Sequence, residues 1–471
     1  MMNPLPGALT RRSLAAGLAL ALIGSGRPAR AQAGASGAAE GWRTLSAAPR
    51  RMKLHPAAEA EAELWAFDGQ VPGPVLRLRH GEELRLRLQN RTDRPLSLHW
   101  HGVRNLNAMD GVGGLTQPPA GPGQDFEYRF SPPDPGTFLI RPNVLGRSAE
   151  AAERGLTGLL LVEEREPPRV DREVVLMVDD WRLNPDGSLA PFGDPLEAAT
   201  MGRLGNWLAP NGKNGPERLE APPGARIRMR IANLCNARTM RIRFDDLRVY
   251  VVAVDGQPTE SFEPLRATLP FPPGSRYDLL FDMPAEVGRK GTVSALVGQG
   301  SAPLLAVEAA GEVPKAPLPP IAALAPNRLL PAAIKLQDAT RRDVVIGGGA
   351  QRGPGGSPVY AGDPARIWTV NGHAGDPGAR PLVTVKRGTP VVLAIVNTTP
   401  VPQPLHVHGH VVRLLHPFDD GWEPYWADTL LVPEGKTVRI AFHADNPGKW
   451  VVGSTVLERY DTGLWSWFEV T

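Results

Sequence analysis

Gly81-Glu82-Glu83-Leu84-Arg85-Leu86-Arg87-Leu88-Gln89-Asn90 carries a leucine at every second position between a glycine and an asparagine. Successive side chains of an extended strand point to opposite faces, so one face of this segment is apolar and the other charged. The spacing returns as Gly224-Ala-Arg-Ile227-Arg-Met229-Arg-Ile231-Ala-Asn233 and as Gly388-Thr-Pro-Val391-Val-Leu393-Ala-Ile395-Val-Asn397. A second element accompanies each copy: Phe126-Glu-Tyr128-Arg-Phe130, Tyr277-Asp-Leu279-Leu-Phe281 and Val438-Arg-Ile440-Ala-Phe442, each bracketed by glycines. Two elements recurring in the same order three times imply three homologous β-domains.

The rest of the chain agrees with that reading. Its 471 residues exceed what one core serves, and 51 glycines with 50 prolines favour short strands joined by turns, so the expected class is all-β. The expected domains are 42–165, 167–311 and 339–471. A Pro/Ala-rich connector, 312–338, includes Lys315-Ala-Pro317-Leu-Pro319-Pro320. Gly347 to Gly356 reads as a surface loop. A net charge of +3, with arginines spread along strands, excludes a nucleic-acid partner.

At the amino terminus, Thr10-Arg11-Arg12-Ser13-Leu14 precedes an apolar run, Ala15 to Ile23, and then Ala29-Arg30-Ala31. That order is similar to a twin-arginine export signal at 1–31, removed near Gln32, and it predicts a periplasmic protein with no transmembrane segment in its mature form. Cys235 is the single cysteine, so an intrachain disulfide is excluded and a buried structural thiol is expected.

Candidate chemistry lies in two His-x-His pairs, His99-Trp100-His101 and His406-Val407-His408. On a strand the two histidines of each pair share a face, which makes each pair half of a metal or polar site. With Asp68-Gly-Gln-Val-Pro-Gly-Pro74, Asp110-Gly111, Gly136-Thr137-Phe138 and His406-Val-His-Gly-His410, the chain resembles the multicopper oxidase family. The resemblance covers nearly all of the mature chain. It implies three tandem cupredoxin-like Greek-key sandwich or barrel domains, with a copper cluster between the first and third.

The resemblance also sets other residues against the family's remaining ligand positions. Arg141, Pro142 and Asn143 stand where a second His-x-His pair is expected. Gln403, Ser454 and Arg459 stand at the blue-copper ligands, and Leu464 at its axial position. A blue site needs two imidazoles and a thiolate, which these residues do not supply. His101 and His408 match two of the six type 3 ligands, and His99 and His406 match the type 2 pair. Four imidazoles are thus expected where domains one and three meet, either as a hydrogen-bonded structural seam or around a single copper ion. A divalent ion about 6 Å from the Arg141 guanidinium would lose roughly 5 kcal/mol at an effective dielectric near 20, which favours the seam. Asp110 matches an acidic residue that serves related oxidases as proton donor. Without a cluster it is expected instead in a turn or beside an arginine. His410 and His416 are not expected as ligands, and neither a phosphate loop nor a nucleophile elbow is present.

The pattern as a whole is similar to copper-poor, exported family members of the FtsP/SufI cell-division type, which implies a non-catalytic envelope or division-support protein. The alternative is a copper-binding protein or oxidoreductase using His99, His101, His406 and His408. A third reading is a binding module for a small ligand whose identity the sequence does not give.

Overall fold

The computed structural model describes residues 41–312, 319–416 and 421–471. The expected export signal, and residues 313–318 of the expected connector, lie outside the described residues. Among these, no helix is long and apolar enough to cross a membrane.

The three Gly-to-Asn segments become strands Leu84–Asn90, Arg226–Asn233 and Thr389–Asn397. Each has equivalent neighbours: a parallel partner on one side (Arg43–Met52, Arg172–Trp181, Thr340–Gly348) and an antiparallel partner on the other (Asp125–Phe130, Arg276–Asp282, Thr437–Ala444). The second repeated element is that antiparallel partner, which explains why the two motifs travel together. In each repeat a second sheet packs over the first, giving three sandwiches.

The recurrent asparagine has a physical reason. Asn90 Nδ2 donates to Arg94 O at 2.7 Å and Ala120 O at 2.9 Å, while its Oδ1 accepts from Thr92 N at 3.0 Å. Asn233 and Asn397 repeat the arrangement with Arg238 O, Phe271 O and Cys235 N, and with Val401 O, Val432 O and Thr399 N. One buried side chain satisfies main-chain groups at the strand end that would otherwise go unpaired, a loss of about 1–3 kcal/mol each.

The middle copy departs from simple alternation, because every residue of Arg226–Asn233 is buried. Its arginine face is covered by charge: Arg228 and Arg230 reach Asp278 Oδ2 at 2.6 and 2.7 Å, and Arg230 donates to Thr137 Oγ1 of the first sandwich. Thr137 in turn donates to Asp278 Oδ1 at 2.6 Å. The first two sandwiches are therefore joined by a buried polar network beside an apolar one, in which Leu139 and Leu159 meet Met177, Ala232 and Leu234.

Two expectations need adjustment. The connector is more than a spacer, since Asn327 Nδ2 donates at 2.8 Å to both Asp134 Oδ1 and Gln257 Oε1, tying it to both preceding sandwiches. The glycine-rich stretch 347–356 is part strand, because Gln351–Arg352 pairs with Pro358–Val359 in an exposed hairpin. Glycine is needed there, since a Cβ on Gly353 would lie 2.6 Å from Val359 Cγ1 and one on Gly349 2.7 Å from the Trp368 ring.

Candidate metal centre at the junction of the first and third sandwiches

His99 and His101 lie on strand Leu98–His101, which is buried on both faces. Trp100, between them, points into the first core, where its ring meets Tyr128 at 5.4 Å and Phe130 at 5.2 Å. Anchoring that indole forces both imidazoles out of the opposite face. Val407 enters the third core in the same way, so His406 and His408 emerge toward the first sandwich. The four rings meet as two interlocked stacks: His99 on His408 at 3.9 Å between centroids, and His101 on His406 at 3.7 Å.

The hydrogen bonds assign the ring protons. His99 Nδ1 donates to Asp110 O at 2.8 Å, and His406 Nδ1 donates to Asp428 O at 3.0 Å. A carbonyl oxygen only accepts, so both protons sit on Nδ1 and both Nε2 atoms carry lone pairs. Those two Nε2 atoms face each other at 3.2 Å. His408 Nδ1 donates to Asp110 Oδ2 at 2.9 Å, leaving its Nε2 bare. His101 Nε2 lies 2.8 Å from Thr429 Oγ1, whose own proton goes to Asp428 Oδ1 at 2.8 Å, so the bare nitrogen of His101 is Nδ1. Each imidazole thus has one nitrogen fixed by a partner and one left as a donor to a cation, the arrangement that metal-ligating histidines take.

Burial favours the neutral form of His101, His406 and His408. Burial pulls His101 and His406 below the usual histidine range against the opposing carboxylate of Asp428, and burial with His99 nearby brings His408 to about 3. Asp110 remains ionised, because His408 and His99 outweigh the upward push of its burial. Asp110 closes the turn Asn107–Met109, as expected, but its side chain pairs with imidazoles and not with an arginine.

The donor set fits one ion. Two nitrogens each ~2.0–2.1 Å from a shared metal stand about 2.9–3.4 Å apart for bond angles between square and tetrahedral, and His99 Nε2 to His406 Nε2 is 3.2 Å. Donor atoms of His99, His101 and His406 cluster within 4.8 Å of one another, as do those of His99, Asp110 and His408. Beside them is a cavity of about 20 Å³, lined by all four histidines with Arg141, Asn143, Ser454, Thr455 and Tyr460. Arg141 is the cross-strand neighbour of His99, and Gly453 that of His406.

Two of the residues set against the blue-copper ligands, Arg459 and Gln403, also meet, but as a closed polar cluster. Arg459 Nη1 donates to Gln403 Oε1 and to Pro402 O, both at 2.7 Å, and its Nε and Nη2 donate to Thr200 O. Its guanidinium lies over the Trp368 ring at 5.1 Å. Cys235 is fully buried, its thiol 3.7 Å from Val178 O and its pKa pushed up by burial and by Asp180 and Asp179. His410 packs among Phe442, Trp450 and Phe468, apart from the bare nitrogens of the other four.

Sequence reasoning missed the residues behind His101 and His406. Asp428, fully buried, is gripped by Arg276 through Nη1 at 2.9 Å and Nη2 at 2.6 Å. Asp255 accepts from the main-chain nitrogens of Arg276, Asp428 and Thr429, so the second sandwich holds the carboxylate that backs the histidines. The signal was present: Arg276 sits two residues after the glycine of the second repeated element, where the other copies carry exposed Asp125 and Thr437. An arginine on a buried strand demands a buried acid.

This fold and this junction define the class of protein. Multicopper oxidase family models match residues 50–167, 173–290 and 358–471. The fold superposes on the multi-copper oxidase of Pseudomonas thermotolerans with a TM-score of 0.79 and 31% identity, covering 91% of this chain and 99% of that one. That of Pseudomonas parafulva gives 0.78, also at 31% identity. The multicopper oxidase MmcO of Mycobacterium tuberculosis is 29% identical over 82% of this chain and 79% of its own. This chain belongs to the multicopper oxidase family.

Proposed function

We propose that this protein is a family member without an electron-entry site, acting in the cell envelope as a structural or interaction protein rather than as an oxidase. One observation carries the reading: Arg459 and Gln403 hydrogen-bond to each other where the resemblance calls for blue-copper ligands. A buried cation that already has its acceptors leaves neither a vacant ligand nor a tolerable place for a copper ion. The twin-arginine pattern around Arg11 and Arg12 supports periplasmic placement, and division support of the FtsP/SufI type is the role that the copper-poor pattern favours.

The test is the protein purified with copper and offered a phenol or ferrous iron. The expected result is no intense blue absorption and no oxygen consumption above buffer. A blue band accompanied by turnover overturns the proposal. Fractionation of the source cells, and capture of partners with the mature chain, test envelope placement and the division role.

A second reading rests on the contact between His99 and His406. Two lone pairs at 3.2 Å repel unless a cation lies between them, and either a proton or a metal ion satisfies both. His99, His101, His406 and His408 would hold one copper, which would supply Lewis acidity and one-electron exchange. The chain's own part is to orient the four imidazoles through Asp110, Asp428 and Thr429. Metal analysis after copper loading should give one ion per chain, lost when either His-x-His pair becomes alanine.

A further inference from the structure

Among the described residues the chain buries seven arginines, and six of them have acceptors. Arg203 pairs with Glu153, Arg226 with Asp282, Arg228 and Arg230 with Asp278, and Arg276 with Asp428, while Arg459 has the carbonyls and amide described above. The seventh is Arg141, 3% exposed. Its guanidinium makes no hydrogen bond and no ion pair, and Nε and Nη2 are both buried without a partner. These two N–H groups form one edge of the guanidinium, the fork that grips an anion with two parallel bonds.

The surroundings point the same way. Arg141 stays a cation near neutrality: burial lowers its pKa to about 10, and Asp179, Cys235 and Glu458 act from a distance to hold it up. The nearest of these carboxyls do not compensate it, since burial raises both Asp179 and Glu458 toward their neutral forms. The cavity that Arg141 lines has no carboxylate in its wall. It does include Thr455, whose Oγ1 is a second buried polar atom without a partner. Its volume of about 20 Å³ has room for one water-sized species, too little for acetate or sulfate.

We infer that this cavity is a binding site for a monovalent anion of halide size, held by the unmatched guanidinium of Arg141 that lines it. This goes beyond the proposed function; because the four histidines line the same cavity, the anion is expected in the metal-free chain.

The experiment uses the full chain stripped of metal with a chelator. Thermal unfolding is compared in sodium chloride and in sodium gluconate at equal ionic strength. Chloride is expected to raise Tm by about 2–4 °C at saturation, and Arg141→Gln to abolish the difference. Crystals grown in bromide should show an anomalous peak beside Arg141. The bromide measurement needs only the natural chain, so it decides the matter even if Arg141→Gln does not fold. A Tm indifferent to chloride, an equal chloride effect in Arg141→Gln, or bromide data with no peak in the cavity overturns the proposal.

Discussion

Arg459 and Arg141 are both buried beside positions that the family resemblance assigns to copper, yet their environments are opposite. Arg459 has its donors matched by Gln403, Pro402 and Thr200 and an indole beneath it. Arg141 has a small cavity and no hydrogen-bond partner. The first region is an ordinary interior in which the cation is a structural part. The second keeps unmatched donors and bare ring nitrogens, the mark of a place shaped for something the chain does not itself contain. A buried arginine can therefore be accommodated in two ways, one that closes its surroundings and one that leaves donors for a guest.

The contrast breaks if both arginines respond alike to substitution. Arg459→Met should cost about 3–5 kcal/mol in urea-induced unfolding, because three acceptors, that of Gln403 buried, lose their donor. Arg141→Met, measured without halide, should be neutral or slightly stabilising, since it removes an unmatched charge. Equal losses would mean that Arg141 is as well compensated as Arg459.

Copper binding sharpens the other side of the comparison. His99→Ala or His406→Ala should lower copper affinity at least about 100-fold by titration calorimetry, whereas Gln403→Ala should leave it unchanged. Asp110→Asn should weaken binding about 10–100-fold, because it releases the ring proton that fixes His408 with Nε2 bare. An unaffected Asp110→Asn would remove His408 from the site.

The pH dependence is a smaller effect. His408 titrates near 3 in the folded chain and near 6.5 when unfolded, so between those values the unfolded state binds more protons. Stability of the metal-free protein should then fall as pH drops through that window, by about 1 kcal/mol per pH unit from this group. Stability that is flat from pH 6 to pH 4 would contradict the buried, neutral assignment. Smallest of all, Cys235 should react with a thiol reagent only after unfolding, because its thiol is buried and its pKa raised.

Much of this architecture was legible in the sequence because strands report themselves through a period of two. The spacing from Gly81 to Asn90 located a strand in all three sandwiches, and the shared facing of His99 with His101 needed no structure to be read. What escaped was the chemistry that depends on partners distant in the chain. Asp428 lies 152 residues from Arg276, and no local period marks either as half of a pair. The ring tautomers were equally hidden, since they follow from the carbonyls of Asp110 and Asp428, whose aim is set by turns and not by side-chain type. Arg141 was visible as a substitution, but that its donors go unmatched emerges only from surveying its surroundings.

Gly102, immediately after His101, has φ +94°, and a Cβ at that point would strike Arg276 Nη2 and come within 2.7 Å of Asp428 Oδ2. The first sandwich therefore contributes bare backbone to an ion pair whose two members come from the other two. All three parts of the molecule converge on a spot too narrow for a methyl group. Their fates are coupled there: Gly102→Ala should loosen the whole assembly at once, and an isolated sandwich would carry half of a broken contact into water.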